Sequence, residues 1–157
     1  PQTKFEELNF TDLCKQNMFL ERNRFPNIKY EMNNEIVPVM LSCDRQQISR
    51  SLINIMKNAA ESISEGMDLV EGYTGKIELT LSDHKNNISL VITDNGGGFP
   101  KNIIDRITEP YVTTRPHGTG LGLAIAAKIM EDNNGELILR NKRKGGAEVT
   151  LIFNKFV

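Results

Sequence analysis

The sequence predicts an α/β fold: a two-layer α/β sandwich in which a mixed sheet of about five main strands carries three helices on one face. Three observations lead there. Alternating apolar runs come in pairs joined by short polar turns, at residues 76–93 and 135–154, which is the pattern of hairpins. Long stretches with helical spacing precede and separate those pairs. Strand pairs interspersed with helices bury their apolar faces best as a sheet with its helices on one side. At 157 residues the chain reads as one domain, 1–157, large enough for a real core.

Taken in order, residues 5–9 read as a short strand, about 11–22 as a helix, and 28–32 and 37–41 as two further strands. The clearest element is a helix over 44–64, where Ile48, Leu52, Ile55, Met56, Ala59 and Ile63 make one apolar face. Asp44 with Gln47 resembles a capping box, which satisfies amides left without partners in a first helical turn. Residues 66–75 are a loop. Residues 76–82 alternate as a half-buried strand, turn at 83–87 and pair with 88–93. About twenty residues then separate Gly98 from Gly118, with a turn or two of helix expected only at 102–107. A loop that long in a compact domain is either a functional lid or disordered. A helix over 120–132 follows, and a last hairpin joins 135–141 to 147–154 through Lys144-Gly145-Gly146.

The bulk numbers exclude several classes. Charged residues make up 25% and the net charge is -1, so nothing points to nucleic acid or to an anionic membrane surface. No apolar stretch reaches the length of a bilayer span and no signal peptide starts the chain. Cys14 and Cys43 have no metal-ligand spacing and read as free buried thiols of a reducing compartment. The start at Pro1 is read as that of a piece cut from a longer protein.

Six of the twelve glycines fall between Gly96 and Gly122, in the clusters Asp94-Asn95-Gly96-Gly97-Gly98 and Gly118-Thr119-Gly120-Leu121-Gly122. Glycine serves where the backbone takes positive φ or approaches a ligand closely. Two clusters flanking a mobile segment, with a carboxylate at a strand end, look like a nucleotide site. The helix over 44–64 also carries a polar stripe of Gln47, Arg50, Asn54, Asn58, Glu61 and Glu65. By periodicity that stripe reads as a solvated face. Two asparagines four apart in mid-helix are nevertheless unfavourable, which argues that their carboxamides are wanted there. An Asn oxygen can ligate Mg²⁺, a hard cation that also takes substrate phosphates.

Asp94 is either a turn former or a carboxylate that accepts a hydrogen bond from an adenine amino group, with Gly96 and Gly98 letting backbone pass beside the base. The segment from Glu109 to His117 is either plain loop or a means of bringing Thr113, Thr114 and Arg115 beside the second glycine cluster. That cluster opens a helix, whose first amides and dipole favour phosphate. His117 reads as a lid residue rather than a catalytic base, and His84 as a solvated turn residue. No Gly-Lys-Ser/Thr is present, and the glycine spacing 118, 120, 122 does not fit the dinucleotide fingerprint.

The ordered set carries a resemblance that no single motif does. Asn54-Ile-Met-Lys-Asn58-Ala-Ala, Asp94-Asn-Gly96-Gly-Gly98, Glu109-Pro110-Tyr111-Val-Thr113-Thr114-Arg115 and Gly118-Thr-Gly120-Leu-Gly122-Leu resemble the N, first glycine, F and second glycine boxes of bacterial sensor histidine kinases. The ATP-binding catalytic domain of that family has the Bergerat fold, shared with gyrase, Hsp90 and MutL. The wording from Glu109 to Ile125 is similar to the nitrogen-regulation kinases of the NtrY type. The resemblance implies ATP and Mg²⁺ as ligands, with Asn58 on the Mg²⁺ and Asn54 and Glu61 supporting it. It implies that Asp94 reads adenine, with Gly96 and Gly98 shaping the base pocket. Thr113, Thr114 and Arg115 would belong to a lid of about 99–119, and Gly118, Thr119, Gly120, Leu121 and Gly122 would flex it and present amides to phosphates.

An aromatic is usual in the family where Ile107 and Val112 stand, and a lysine at Arg115, so lid packing departs from the pattern. The phosphoryl-accepting histidine of these kinases belongs to a separate helical dimerisation domain, and neither His84 nor His117 sits in its motif. Lys4-Phe5-Glu6-Glu7-Leu8 looks like sequence just past that domain. The implied function is donation of the ATP γ-phosphoryl group to a histidine on that dimerisation domain and, through it, to a response regulator. No residue of this chain is implied as a catalytic acid or base. A cytoplasmic location is implied, with the parent kinase anchored in the inner membrane and no insertion of this segment.

Three other readings compete with it. A hydrolysing clamp of the gyrase kind carries a glutamate base where Asn54 stands, and a carboxamide cannot take a proton from water. Serine kinases acting on anti-sigma antagonists fit the lid wording less well. An ATP-sensing or protein-interaction module without transfer activity has the same binding motifs and stays open.

Overall fold

The computed structural model describes residues 2–33, 37–67, 71–115 and 118–155. Strand β1 (Glu6–Asn9) runs into helix α1 (Phe10–Arg24), and β2 (Lys29–Asn33) and β3 (Met40–Cys43) follow. Helix α2 (Arg45–Met67) leads to the hairpin of β4 (Lys76–Asp83) and β5 (Asn87–Asp94). A single 3-10 turn, Ile104–Arg106, interrupts the long loop before helix α3 (Gly122–Asp132), and the hairpin of β6 (Gly135–Asn141) and β7 (Ala147–Asn154) ends the described chain.

The main sheet has five strands in the order β2-β4-β5-β7-β6, with β2 and β4 parallel and every other pair antiparallel. Two expected strands sit apart from it: β1 pairs with β3 as a separate two-stranded sheet. Period-two alternation gives the sheet one apolar face. Ile77, Leu79 and Leu81 of β4, Ile88, Leu90 and Ile92 of β5, and Val149, Leu151 and Phe153 of β7 are all buried on it. The apolar face of α2 covers that surface as its spacing predicted, since Ile48, Leu52, Ile55, Met56, Ala59 and Ile63 are all buried. Leu123, Ala126, Ile129 and Met130 of α3 complete the layer, and Phe10 meets Phe153 edge to face at 5.1 Å.

Element ends differ from expectation for local reasons. The strand expected at 37–41 begins at Met40, because Val39 donates to Thr11 Oγ1 and accepts from the Phe10 amide, and so is tied to α1 rather than to a ladder. The helix expected to end at 64 continues to Met67, and part of the loop expected at 66–75 lies outside the described residues. Helix α3 begins at Gly122 rather than 120, because Gly120 stands at φ +72 and cannot be helical. The capping box is half formed. Asp44 Oδ1 accepts the Gln47 amide at 3.0 Å, but Gln47 Oε1 accepts from Asn133 and from Thr3 instead of returning to the cap. Cys14 and Cys43 are buried free thiols whose pKa values burial raises, that of Cys43 up to about 12.

Candidate functional site

Period-two alternation also delivers the first functional side chain. Ile88, Leu90, Ile92 and Asp94 occupy one face of β5, so the carboxylate sits where the apolar row ends and α2 passes overhead. Asp94 is 4% exposed. Its Oδ1 accepts two backbone amides, from Gly96 at 2.9 Å and from Ala147 at 3.3 Å. Oδ2 takes no hydrogen bond among the described residues, and Asp94 lines a cavity of about 60 Å³ together with Ser62, Gly98, Phe99, Pro100 and Ile103. Burial raises the Asp94 pKa, against the two amides and the nearby charges of Lys142 and Arg115 that lower it.

The loop after Asp94 is held on both sides. Ser62 Oγ accepts the Gly97 amide at 3.1 Å from α2. Gly96 packs so closely on Ser62 and the Ile63 amide that a methyl group there would sit within 2.9 Å of them. Its smallness therefore serves contact with α2. Gly146, at φ +95, lies so close to Asp94 that an added Cβ would fall 1.9 Å from the Asp94 carbonyl oxygen. Asn95 turns away from the cavity, where its Oδ1 accepts from Tyr73 and from the Lys76 amide and its Nδ2 donates to Thr74.

A second cavity, of about 370 Å³, opens beside the first. Asn54, Lys57, Asn58 and Glu61 of α2 line one wall, and Val112, Thr113, Arg115 and residues 119–123 line the other. Asn58, Ile107, Thr113 and Arg115 border both cavities, so the two form one cleft with unlike ends. At the larger end Leu121 occupies the N-cap position of α3 with no side-chain cap, which leaves first-turn amides without partners. Asn54 Nδ2 donates to the Gly122 carbonyl at 3.4 Å.

Among the described residues, the lid hydrogen-bonds to α2 through Arg115. Arg115 donates to Asn58 Oδ1 at 2.5 Å and to Glu65 Oε1 at 2.8 Å, and Glu61 Oε2 is 4.0 Å away. Near the other end of the described lid, the Tyr111 amide donates to the Gly120 carbonyl at 3.0 Å, with Tyr111 itself at φ 70. An added Cβ on Gly120 would sit 2.5 Å from the Tyr111 carbonyl carbon, so only glycine fits there. Thr113 Oγ1 accepts the Arg115 amide and Thr119 Oγ1 the Leu121 amide, so both hydroxyls brace local turns.

Of the residues singled out in the sequence, Asn54, Asn58, Glu61, Thr113, Arg115, Thr119, Gly120, Leu121 and Gly122 line the larger cavity. Asp94, Gly98 and Thr114 line the smaller one. Gly96 and Gly118 line neither: the first packs on α2 and the second against Thr113 and Arg115. His117 lies outside the described residues. His84 is exposed in the β4–β5 turn, with Nε2 3.3 Å from Ser89 Oγ. Sequence reasoning missed Ser62, although it follows Asn58 by four residues on the same helix face. It also missed Phe99, on the loop after β5, and Ala147 and Asn141, which strand pairing brings to the cavity and to the Phe99 backbone respectively. Among the described residues no group of three His, Cys, Asp or Glu could hold a metal by itself, and no helix is long and apolar enough to cross a membrane.

Residues 43–156 match the family described as histidine kinase-, DNA gyrase B- and HSP90-like ATPase. The nitrogen regulation protein NtrY of Azorhizobium caulinodans is 37% identical over 153 residues, 96% of this chain and 20% of that protein. An NtrY-like protein of Rickettsia conorii is 36% identical over 154 residues, 98% of this chain and 25% of that protein. The chain thus spans between 20% and 25% of the length of these two curated relatives. Among solved structures, the catalytic domain of the histidine kinase ThkA superposes with a TM-score of 0.80 at 29% identity, over 97% of this chain and 98% of that one.

Proposed function

This chain belongs to the family of histidine kinase-, DNA gyrase B- and HSP90-like ATPases, and we propose that it is the ATP-binding catalytic domain of a bacterial sensor histidine kinase, extending over 1–157 with a lid at about 99–119. It binds Mg-ATP and donates the γ-phosphoryl group to a histidine on the separate dimerisation domain of its parent kinase, from which a response regulator takes it. A ThkA structure in complex with the response regulator TrrA supports that partnership for a relative 25% identical to this chain. The proposed location is cytoplasmic, within a parent anchored in the inner membrane.

One observation carries the reading: a single cleft joins a narrow slot ending in the buried Asp94 carboxylate to a wider space ending in uncapped helix amides. The free oxygen of Asp94 suits the amino group of adenine, and the amides before α3 suit phosphate oxygens. Asn58 Oδ1 already accepts from a cation, the Arg115 guanidinium, with Glu61 and Glu65 beside it. A carboxamide flanked by carboxylates is an oxygen donor set that fits Mg²⁺. Asn58 would hold the ion, supported by Asn54 and Glu61, and the ion when bound neutralises phosphate charge. When the lid is down, Thr113 and Arg115 shield the phosphate end from water and Thr114 the base end, and Gly118, Thr119 and Gly120 bend at its base. At the position where the hydrolysing clamps carry a glutamate base, the wall facing the phosphate end offers Asn54, whose carboxamide cannot take a proton from water, so the chain positions ATP for an incoming histidine instead of hydrolysing it.

Mixing this chain with the histidine-bearing domain of its parent and radiolabelled ATP tests the proposal. The expected product on that domain is acid-labile phosphohistidine. ATP binding without any such product would leave an ATP-sensing module in its place.

A further inference from the structure

Ala147 of the β6–β7 hairpin lines the Asp94 slot, and that hairpin holds a side chain outside every motif of the sequence. Asn141, the last residue of β6, accepts the Phe99 amide on Oδ1 at 2.7 Å and donates from Nδ2 to the Phe99 carbonyl at 2.9 Å. We propose that Asn141 is a positioning residue that sets the purine selectivity of the cleft by fixing Phe99, where the loop from Asp94 ends and the lid begins. The inference rests on the ATP-binding reading above.

Two features separate this contact from ordinary turn chemistry. Asparagine at a strand end commonly bonds its own neighbouring backbone. Here both bonds reach 42 residues away, and the hairpin turns by itself through Lys142 N–H to the Gly146 carbonyl and Gly145 N–H to the Lys142 carbonyl. The second feature is that the bond is two-point. A carboxamide offers a donor and an acceptor in one plane, so it fixes the rotation of the Phe99 backbone as well as its place. Asp would keep the acceptor and lose the donor.

The consequence is a slot measured from one frame. The hairpin presents the Ala147 amide to Asp94 Oδ1 and the Asn141 carboxamide to Phe99, so the carboxylate and the facing wall are both referenced to it. Gly98, at φ +79, is matched to this arrangement, because a Cβ there would come 2.8 Å from Asn141 Oδ1. A hydrogen-bonding slot rejects a mismatched base only if its walls cannot relax around it. Phe99 is buried and lines the slot, so releasing it lets the wall shift.

The test is calorimetric titration with Mg-ATP and Mg-GTP of the wild-type chain, Asn141→Ala, Asn141→Asp and Arg140→Gln, each checked for folding by thermal melting. Arg140 forms an exposed ion pair with Glu148 on the same hairpin and serves as control. The expected result is an ATP-selective wild type, a preference reduced at least tenfold in both Asn141 variants, and an unchanged preference in Arg140→Gln. Folded Asn141 variants that keep the wild-type preference overturn the inference and leave the ATP reading standing. Equal loss in Arg140→Gln overturns it too, as does failure of both Asn141 variants to fold, since each assigns Asn141 a purely structural role. A wild type that binds neither nucleotide sinks the ATP reading and the inference with it.

Discussion

The loop from Asp94 to Phe99 and the lid that follows it are consecutive in sequence and border the same cleft, yet they are held in opposite ways. The loop is tied by buried or half-buried contacts from three elements: Ser62 on α2, the Ala147 amide on β7 and Asn141 on β6. The lid is anchored at its start by Ile103, Ile104 and Ile107, which pack on the core, but beyond them the described residues are held by Arg115, half-buried against α2, and by a backbone bond between Tyr111 and Gly120. Exposed or half-exposed ion pairs contribute roughly 0–1 kcal/mol each, whereas an orphaned buried polar group costs about 1–3 kcal/mol. The difference divides the labour: the base end is built to discriminate, and the phosphate end is built to open.

The largest expected effect lies where the two regions meet. Asn58 borders both cavities and holds Arg115, so Asn58→Ala should abolish Mg²⁺-dependent ATP binding in calorimetry. Undiminished binding would remove Asn58 from the cation site. Next comes Asp94→Asn, which should weaken ATP binding by about 1–3 kcal/mol, because an amide cannot serve adenine's amino group as the carboxylate does.

Stability should move the other way in that variant. Burial raises the Asp94 pKa in the folded chain above its unfolded value of about 3.9. The contribution of Asp94 is therefore full below the unfolded pKa and is lost as pH rises through the folded one. Denaturation at pH 4 and pH 7 should find the Asn variant gaining on wild type toward pH 7, and a variant that loses ground would contradict the burial argument.

A smaller change is expected from Gly120→Ala. It forces a Cβ against the Tyr111 backbone at a positive φ, at a cost of about 1 kcal/mol or more. It should speed proteolysis between residues 108 and 115 while leaving that of the Asp94–Phe99 loop unchanged. The smallest effect on global stability belongs to Arg115→Ala, within about 1 kcal/mol, since its ion pairs are half-exposed. Cleavage of the lid in the nucleotide-free chain should still quicken several-fold. A melting temperature that collapses with this substitution would mean the lid is part of the core.

How legible the molecule was in its sequence follows the same division. Periodicity identified the apolar face of α2 and both hairpins, because burial imposes a period of 3.6 or 2 that side-chain hydrophobicity records directly. Asp94 was legible from its place at a strand end before a glycine cluster, and the structure adds that it closes β5 on the row of Ile88, Leu90 and Ile92. The separate pairing of β1 with β3 was not legible, because two short strands carry no register signal of their own. Asn141 and Ala147 were hidden for a related reason. Their role depends on β7 lying beside β5, a long-range pairing that local pattern does not encode. Gly96 was assigned to the base and packs instead on Ser62, since a glycine records a need for space without naming the neighbour.

Amide hydrogen exchange of the wild-type chain, with and without Mg-ATP, tests the division between fixed loop and opening lid most directly. The account predicts slow exchange at Gly96, Gly97 and Phe99 in both states, and fast exchange over 108–115 that slows when Mg-ATP is added. A lid already protected without nucleotide, or one indifferent to Mg-ATP, would contradict it.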